Sequence, residues 1–241
     1  MEAIRWHIGC SGFHYKEWKE IFYPKGLPAT RWFTYYASQF DTLEINNTFY
    51  RFPELKLFEN WYQRSPAPFM FAVKVPGIIT HEKQFVETEE LMRDFYLVAQ
   101  EGLKEKLGAI LFQLPPKFQF SMNRLQDILR QIDIRFNNVI EFRHISWWRK
   151  EVAEALREYN VSFCGVSFPG LINDAIINSS HCYYRFHGVP KLYHSPYDKD
   201  FLKKIVEQIR AAQPDTAYLY FNNTASGAAI ENARQVLELI S

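Results

Sequence analysis

Short apolar runs rich in aromatic and β-branched residues alternate along this chain with longer stretches of helical period. RWHIGC, TLEIN, FMFAVK, AILFQL, VIEFRH, SFCGV, CYYRFH and AYLYFN carry the strand signal. Between them, apolar residues recur at three- and four-residue spacing: Trp32, Phe33, Tyr36, Ala37 and Phe40; Leu125, Ile128, Leu129 and Ile132; Phe201, Leu202, Ile205 and Ile209; and Ile230, Ala233, Val236, Leu237 and Ile240. Eight strand-then-helix units in 241 residues match the size of a (β/α)8 barrel, for which about 250 residues is typical. The expectation is an α/β fold: one eight-stranded parallel TIM barrel over 1–241, with a doubly wound open sheet as runner-up. Two units are irregular. The third connection, Val75 to Leu107, is long, and the sixth, Ser167 to His181, contains Pro169 and has little room for a helix.

Strand side chains alternate between faces. In TLEIN, Thr42, Glu44 and Asn46 therefore oppose Leu43 and Ile45, and the apolar pair belongs against the helices. The same test turns Arg5, His7, Gly9 and Ser11 of strand one inward. It does so for Met70, Ala72 and Lys74 of strand three, Ala109, Leu111 and Gln113 of strand four, and Val139, Glu141 and Arg143 of strand five. Tyr183, Arg185 and His187, with Tyr218, Tyr220 and Asn222, complete the inner wall. Its polar members fall at the ends of the strands, where a parallel barrel places its catalytic rim. Buried charges need partners, solvent or a ligand, and the plainest arrangement pairs Glu44 with Lys74 across adjacent strands.

Composition narrows the partners. A net charge of +1 gives no surface dedicated to long polyanions, although a local basic pocket is compatible with it. Nothing divides the chain into two domains. No run reaches the roughly 20 apolar residues of a membrane span, and the segment beginning Met1-Glu2-Ala3 has no signal-peptide stretch, so a cytoplasmic location is the default. Cys10, Cys164 and Cys182 lack CxxC spacing and read as buried thiols. The expected partner is a small anionic substrate, with nucleic acid less favoured, no membrane and no resident cofactor. Nothing in the sequence fixes an oligomeric state.

The strings IGCSGFHYKEW, FYPKGLP, YYASQFDTLEINNTFYRFP, FAVKVPGIITHEK, LGAILFQLPPKF, IEFRHISWW, YYRFHG and YFNNTASGAAIENA span nearly the whole chain. Together they resemble the YecE-like family of TIM-barrel proteins, a domain-of-unknown-function family. The resemblance implies a polar cluster at the C-terminal rim and brings no reaction with it. The residues that look like family pattern there are Ser11, Gly12, Glu44, Asn46, Tyr50, Lys74, His81, Gln113, Glu141, Arg143, His144, Arg185, His187 and Asn222. Ser167 stands where the resemblance leads one to expect Asp, which weighs against any mechanism needing a carboxylate at that strand end.

Several chemistries fit this rim. Glu44 and Glu141 form a candidate proton donor and acceptor, with His187 assisting at a leaving group. Arg143, Arg185 and Lys74 would hold the anion, and Asn46 and Asn222 would orient it. His81 and His144 are further acid/base candidates. The run Asn222 to Gly227 leads into the last helix, whose N-terminus suits an anion as readily as it suits a plain Ser226 cap. Lys74 as an imine-forming nucleophile requires burial or neighbouring cations to lower its pKa, and pairing with Glu44 would oppose that. Phe13, Tyr15, Trp18, Phe22 and Tyr23, with Trp147 and Trp148, offer a stacking wall for a nucleotide-like or carbohydrate ligand. A metal held by Glu44, Glu141, His7 and His187 would support a phosphodiesterase acting on nucleic acid, but no local ligand motif backs it, and the three cations would repel such an ion. A non-catalytic ligand-binding module is the third possibility.

Overall fold

A computed structural model describes residues 3–241; Met1 and Glu2, where the N-terminal reading begins, lie outside the described residues. Nine strands form one parallel sheet: β1 (Arg5–Ser11), β2 (Thr42–Ile45), β3 (Met70–Lys74), β4 (Leu107–Gln113), β5 (Asn138–Glu141), β6 (Val161–Phe163), β7 (Gly165–Ser167), β8 (His181–Phe186) and β9 (Thr216–Phe221). They run in the order β6-β5-β4-β3-β2-β1-β9-β8-β7. The two edge strands are successive halves of one run, SFCGV, so the count exceeds the expected eight only because that run breaks at Cys164. Its first half pairs with β5 and its second with β8. Cys164 itself donates its N–H to Ile140 O at 2.9 Å. The next residue is Gly165 for a steric reason: a Cβ there would stand 2.6 Å from the Tyr184 ring, on the strand it pairs with.

Helices α1 (Trp32–Ala37), α2 (Leu55–Arg64), α3 (Glu89–Leu103), α4 (Met122–Gln131), α5 (Lys150–Glu158), α6 (Lys199–Ala212) and α7 (Ala228–Ile240) clothe the sheet. Each buries the stripe its periodicity marks; in α6, Leu202, Ile205, Val206 and Ile209 face inward. The long third connection spends its extra residues on a π-helical turn, Ile78–Glu82, before α3. No helix joins β7 to β8. That segment is held by side chains instead: Asn178 accepts from Phe163 N and donates to Ala153 O and Val161 O, and Tyr184 donates to Asn173 O. Among the described residues, no helix is long and apolar enough to cross a membrane.

Two apolar clusters result. The larger lies between sheet and helices; the smaller fills the barrel with Ala72, Ala109, Leu111, Val139, Cys164, Val166, Tyr183, Tyr218 and Tyr220. These are the residues that alternation turns inward, with Cys164 and Val166 added from the broken run. Three tyrosines occupy the volume that Ala72 and Ala109 leave open. All three cysteines are buried free thiols, with burial pushing each thiol up in pKa.

Close approach of β1 to β2 depends on Gly9. A Cβ there would lie 2.4 Å from the Thr42 carbonyl oxygen and 2.9 Å from the Tyr36 hydroxyl. Gly9→Ala is expected to destabilise the barrel by about 1–3 kcal/mol, because backbone must move to admit the methyl group. A urea titration should show a lower midpoint with an unchanged slope.

Candidate functional site

The strand ends converge on a cavity of about 650 Å³ at the C-terminal rim. At its base Arg185, on β8 and 2 % exposed, forks between two fully buried carboxylates. Its Nη2 donates to Glu44 Oε1 at 2.6 Å and its Nη1 to Glu141 Oε2 at 2.5 Å. Tyr183 OH donates to Glu44 Oε2 at 2.6 Å, and Asn46 Nδ2 to Glu44 Oε1 at 3.0 Å. Arg143 Nε donates to Glu141 Oε1. The Arg143 guanidinium lies 4.2 Å above the Phe168 ring.

His187 is enclosed behind this layer. Asn222 Nδ2 lies 3.0 Å from its Nδ1, and its Nε2 lies 3.1 Å from both Glu141 Oε1 and Arg143 Nη2. Burial, followed by the Arg143 charge, pushes His187 down to about 3, so it stays a neutral imidazole. Burial works against ionisation of both glutamates. The cations prevail, Arg185 for Glu44 and Arg143 with Arg185 for Glu141, and both carboxyls are held below the usual range. Two carboxylates matched by two guanidinium groups satisfy the requirement that buried charge be paired and hydrogen-bonded.

Lys74 stands apart from this pairing. Its Nζ donates to Gln113 Oε1 at 2.8 Å and sits 4.0 Å from the Phe49 ring centroid. The expected pairing with Glu44 does not form, because Arg185 and Tyr183 take both Glu44 oxygens. Gln113 is itself anchored, donating Nε2 to Leu114 O at 2.8 Å, which fixes the face its oxygen turns to Lys74. Burial and then Arg185 push the Lys74 ammonium down to about 8.

Of the family-pattern residues, Ser11, Gly12, Glu44, Asn46, Tyr50, Lys74, Gln113, Arg143, Arg185 and Asn222 line the cavity. Glu141 and His187 lie behind its wall. His81 packs on Phe49, its Nδ1 bonded to Thr80 Oγ1 at 2.9 Å and its Nε2 3.4 Å from Gln113. His144 is spent locally: its Nδ1 accepts from Ser146 N at 3.1 Å and caps the turn Ile145–Trp147. Alternation could not set Glu141 and His187 apart from the lining residues, because it assigns a face and not a depth; His81 and His144 rested on the family resemblance alone.

Other expectations need correction. The proposed metal set does not assemble, since His7 bonds Asp41 at 2.9 Å and stacks on Tyr218 near the opposite end of the barrel, while both glutamates are committed to arginines. The described residues contain no group of three His, Cys, Asp or Glu side chains able to hold a metal. The N-terminus of α7 is no open anion site either. Gly227 caps it with Ile21 against it, Ala229 N donates to Asn223 O, and Ser226 Oγ donates to His194 O. Only Phe13 and Tyr15 of the expected stacking wall reach the cavity; Trp18, Phe22, Tyr23 and Trp147 are core.

The cavity recruits residues that strand patterns do not reveal. His14, Trp61 and Tyr193 come from loops or helices, and the Phe49 and Phe168 rings lie against Lys74 and Arg143. Trp61 Nε1, Ser11 Oγ, Asn46 Oδ1 and Arg185 Nε are buried without a hydrogen-bond partner among the described residues, and all four belong to the cavity wall. Such orphaned polar atoms are uncommon in native interiors, and these four border a cavity whose occupant could satisfy them.

Removing the central guanidinium leaves the buried Glu44 carboxylate without a cation and Glu141 with Arg143 alone. Arg185→Met is therefore expected to cost about 3–5 kcal/mol in chemical denaturation. The network also sets an acid limit. Glu44 and Glu141 have folded pKa values below the unfolded value, so their contribution is complete above about 4.5 and is lost as pH falls through the folded values. Stability should drop below pH 4.5, and Glu44→Gln should flatten that slope.

The fold has known counterparts. A DUF72 family protein from Thermotoga maritima MSB8 superposes with a TM-score of 0.88 at 28% identity, covering 98% of this chain and 99% of its own. One from Enterococcus faecalis V583 gives 0.84 at 20% identity, over 98% and 95%. By sequence, the UPF0759 protein YunF of Bacillus subtilis is 25% identical over 90% of this chain and 89% of its own length. The UPF0759 protein YecE of Escherichia coli K12 is 28% identical over 48% and 42%. The model of the family described as "Protein of unknown function DUF72" matches residues 7–241, from the first strand to the last residue, and the chain belongs to that family.

Proposed function

We propose that this protein is an enzyme that binds a small anionic substrate at the barrel rim and transfers protons on it through Lys74, without a metal ion. The charge balance of the cavity carries this reading. Glu44 and Glu141 are neutralised by Arg185 and Arg143, so Lys74 is a surplus cation with no carboxylate beside it. Arg143 has Nη1 without a partner among the described residues and lines the same cavity. Phe13, Tyr15 and Trp61 form an aromatic flank, which favours a phosphorylated or nucleotide-like ligand with a flat portion.

The acid/base role moves from the glutamates to the lysine. General acid/base catalysis works best near the operating pH. Glu44, Glu141 and His187 are all displaced away from neutrality, the first two staying ionised and the third uncharged. Lys74, at about 8, both accepts and donates a proton near neutral pH. Glu44 and Glu141 then serve as anchors that position the arginines.

Phosphate, a nucleoside monophosphate and a small carboxylate should each raise the melting temperature of the protein more than neutral compounds of equal size. Equal shifts from neutral compounds would remove the anion from the proposal. Lys74→Met should weaken anion binding by about tenfold to a hundredfold, the worth of one charge-assisted hydrogen bond. Affinity should also decline as pH rises through about 8 and Lys74 loses its proton; calorimetric titrations at pH 7 and pH 9 would measure it.

A further inference from the structure

We infer that Lys74 is a covalent nucleophile that condenses with the carbonyl group of a 2-oxo carboxylic acid, whose carboxylate is held by Arg143. This rests on the anion-binding reading above and names the substrate class for it. The geometry meets three requirements of imine chemistry. The amine must be accessible to the ligand, and Lys74 lies at the end of β3 with the cavity before it. It must be free of a carboxylate that would lock it as an ammonium ion, and its hydrogen-bond partner is the neutral Gln113 amide. It must be held in place, and the anchored Gln113 oxygen on one side and the Phe49 ring on the other do so.

Arg143 supplies the second point of attachment. Its Nε donates to Glu141 and its Nη2 lies 3.1 Å from His187 Nε2, while Nη1, without a partner among the described residues, is left for a ligand oxygen. A 2-oxo acid carries its carboxylate and carbonyl on adjacent carbons, so one small molecule presents both an anion and an electrophile. Neutral Lys74 Nζ attacks the carbonyl carbon and a C–N bond forms. The carbonyl C–O bond then breaks, and the oxygen leaves as water with the two amine hydrogens. The resulting imine withdraws electrons from the neighbouring carbon, the usual preparation for proton abstraction or carbon–carbon cleavage.

The surroundings of Lys74 favour the neutral amine. Arg185 on β8 and Arg143 beyond β5 oppose its charge, Glu44 on β2 and Glu141 on β5 favour it, and His81 of the π-helical turn is held uncharged, by burial first and then by Lys74 itself. At pH 7 a lysine titrating near 8 holds roughly a few hundredfold more free amine than an ordinary one.

Sodium borohydride trapping with pyruvate, followed by peptide mass spectrometry, tests this. The expected result is one reduced adduct per chain, on Lys74, formed at least about tenfold faster than adducts on exposed lysines and increasing in yield from pH 6 to pH 8. Lys74→Arg, which keeps the cation, should abolish it. Lactate, which has the carboxylate without the ketone, separates the two readings. If lactate raises the melting temperature while pyruvate gives no Lys74 adduct, the nucleophile is overturned and the anion site stands. If neither acid shifts the melting temperature and no adduct forms, both fail. Adducts spread over surface lysines at the same rate as on Lys74 would also overturn the proposal.

Discussion

A single guanidinium group shared between two buried carboxylates sets the character of the whole barrel mouth. Arg185 bonds Glu44 on one side and Glu141 on the other, and those residues come from strands separated by two others in the sheet. Charge buried this deeply is tolerable only when paired and hydrogen-bonded, so each remaining oxygen is taken as well, by Tyr183, Asn46, Arg143 or His187. The cost of leaving any member alone fixes the others. The network holds both carboxylates ionised and removes them from the supply of protons. On the proposed function, reactivity then falls to Lys74, the neighbour left outside the pairing.

Much of this was legible in the residues themselves. Strand alternation has a period of two, and a parallel barrel has one inside, so placing Leu43 and Ile45 against the helices places Thr42, Glu44 and Asn46 within. The barrel filling of Ala72, Ala109, Leu111, Val139, Tyr183, Tyr218 and Tyr220 follows from the same rule. Pairing was not legible. Glu44 and Lys74 end adjacent strands, yet Arg185 reaches across the barrel and takes the carboxylate, its rigid planar fork spanning Glu44 and Glu141 while Lys74 turns to Gln113.

The misplacements share one physical origin. His144, His81 and the Asn222–Gly227 run all follow strand ends, and position after a strand does not fix direction once the chain enters a turn. His144 turned back to cap Ser146, and Asn223 turned into Asn232 and Ser195. The break at Cys164 was hidden for a related reason: SFCGV reads as one strand, and only the Tyr184 ring on its partner shows why Gly165 follows. Trp61 and Tyr193 had no strand period to reveal them, and they reach the cavity through helix and loop packing.

The divided sixth strand has a mechanical consequence. Where β1 and β8 each match six residues of β9, the halves on either side of Cys164 match only three residues of their partners. The segment that follows has no helical ladder to cover them. The β1–β2 pairing is shorter still, at two residues, but the Tyr36 hydroxyl of α1 bridges it, accepting from Cys10 N and donating to Thr42 O; no helix follows the divided strand, and amide exchange with solvent should be fast along this seam. The seam runs beside Phe168, on whose ring Arg143 rests, so breathing of the barrel is directed to the one wall of the cavity that holds a guanidinium in place by stacking. Rigidity on the Lys74 side and compliance on the Arg143 side would let the same scaffold fix an amine while yielding to carboxylates of different length.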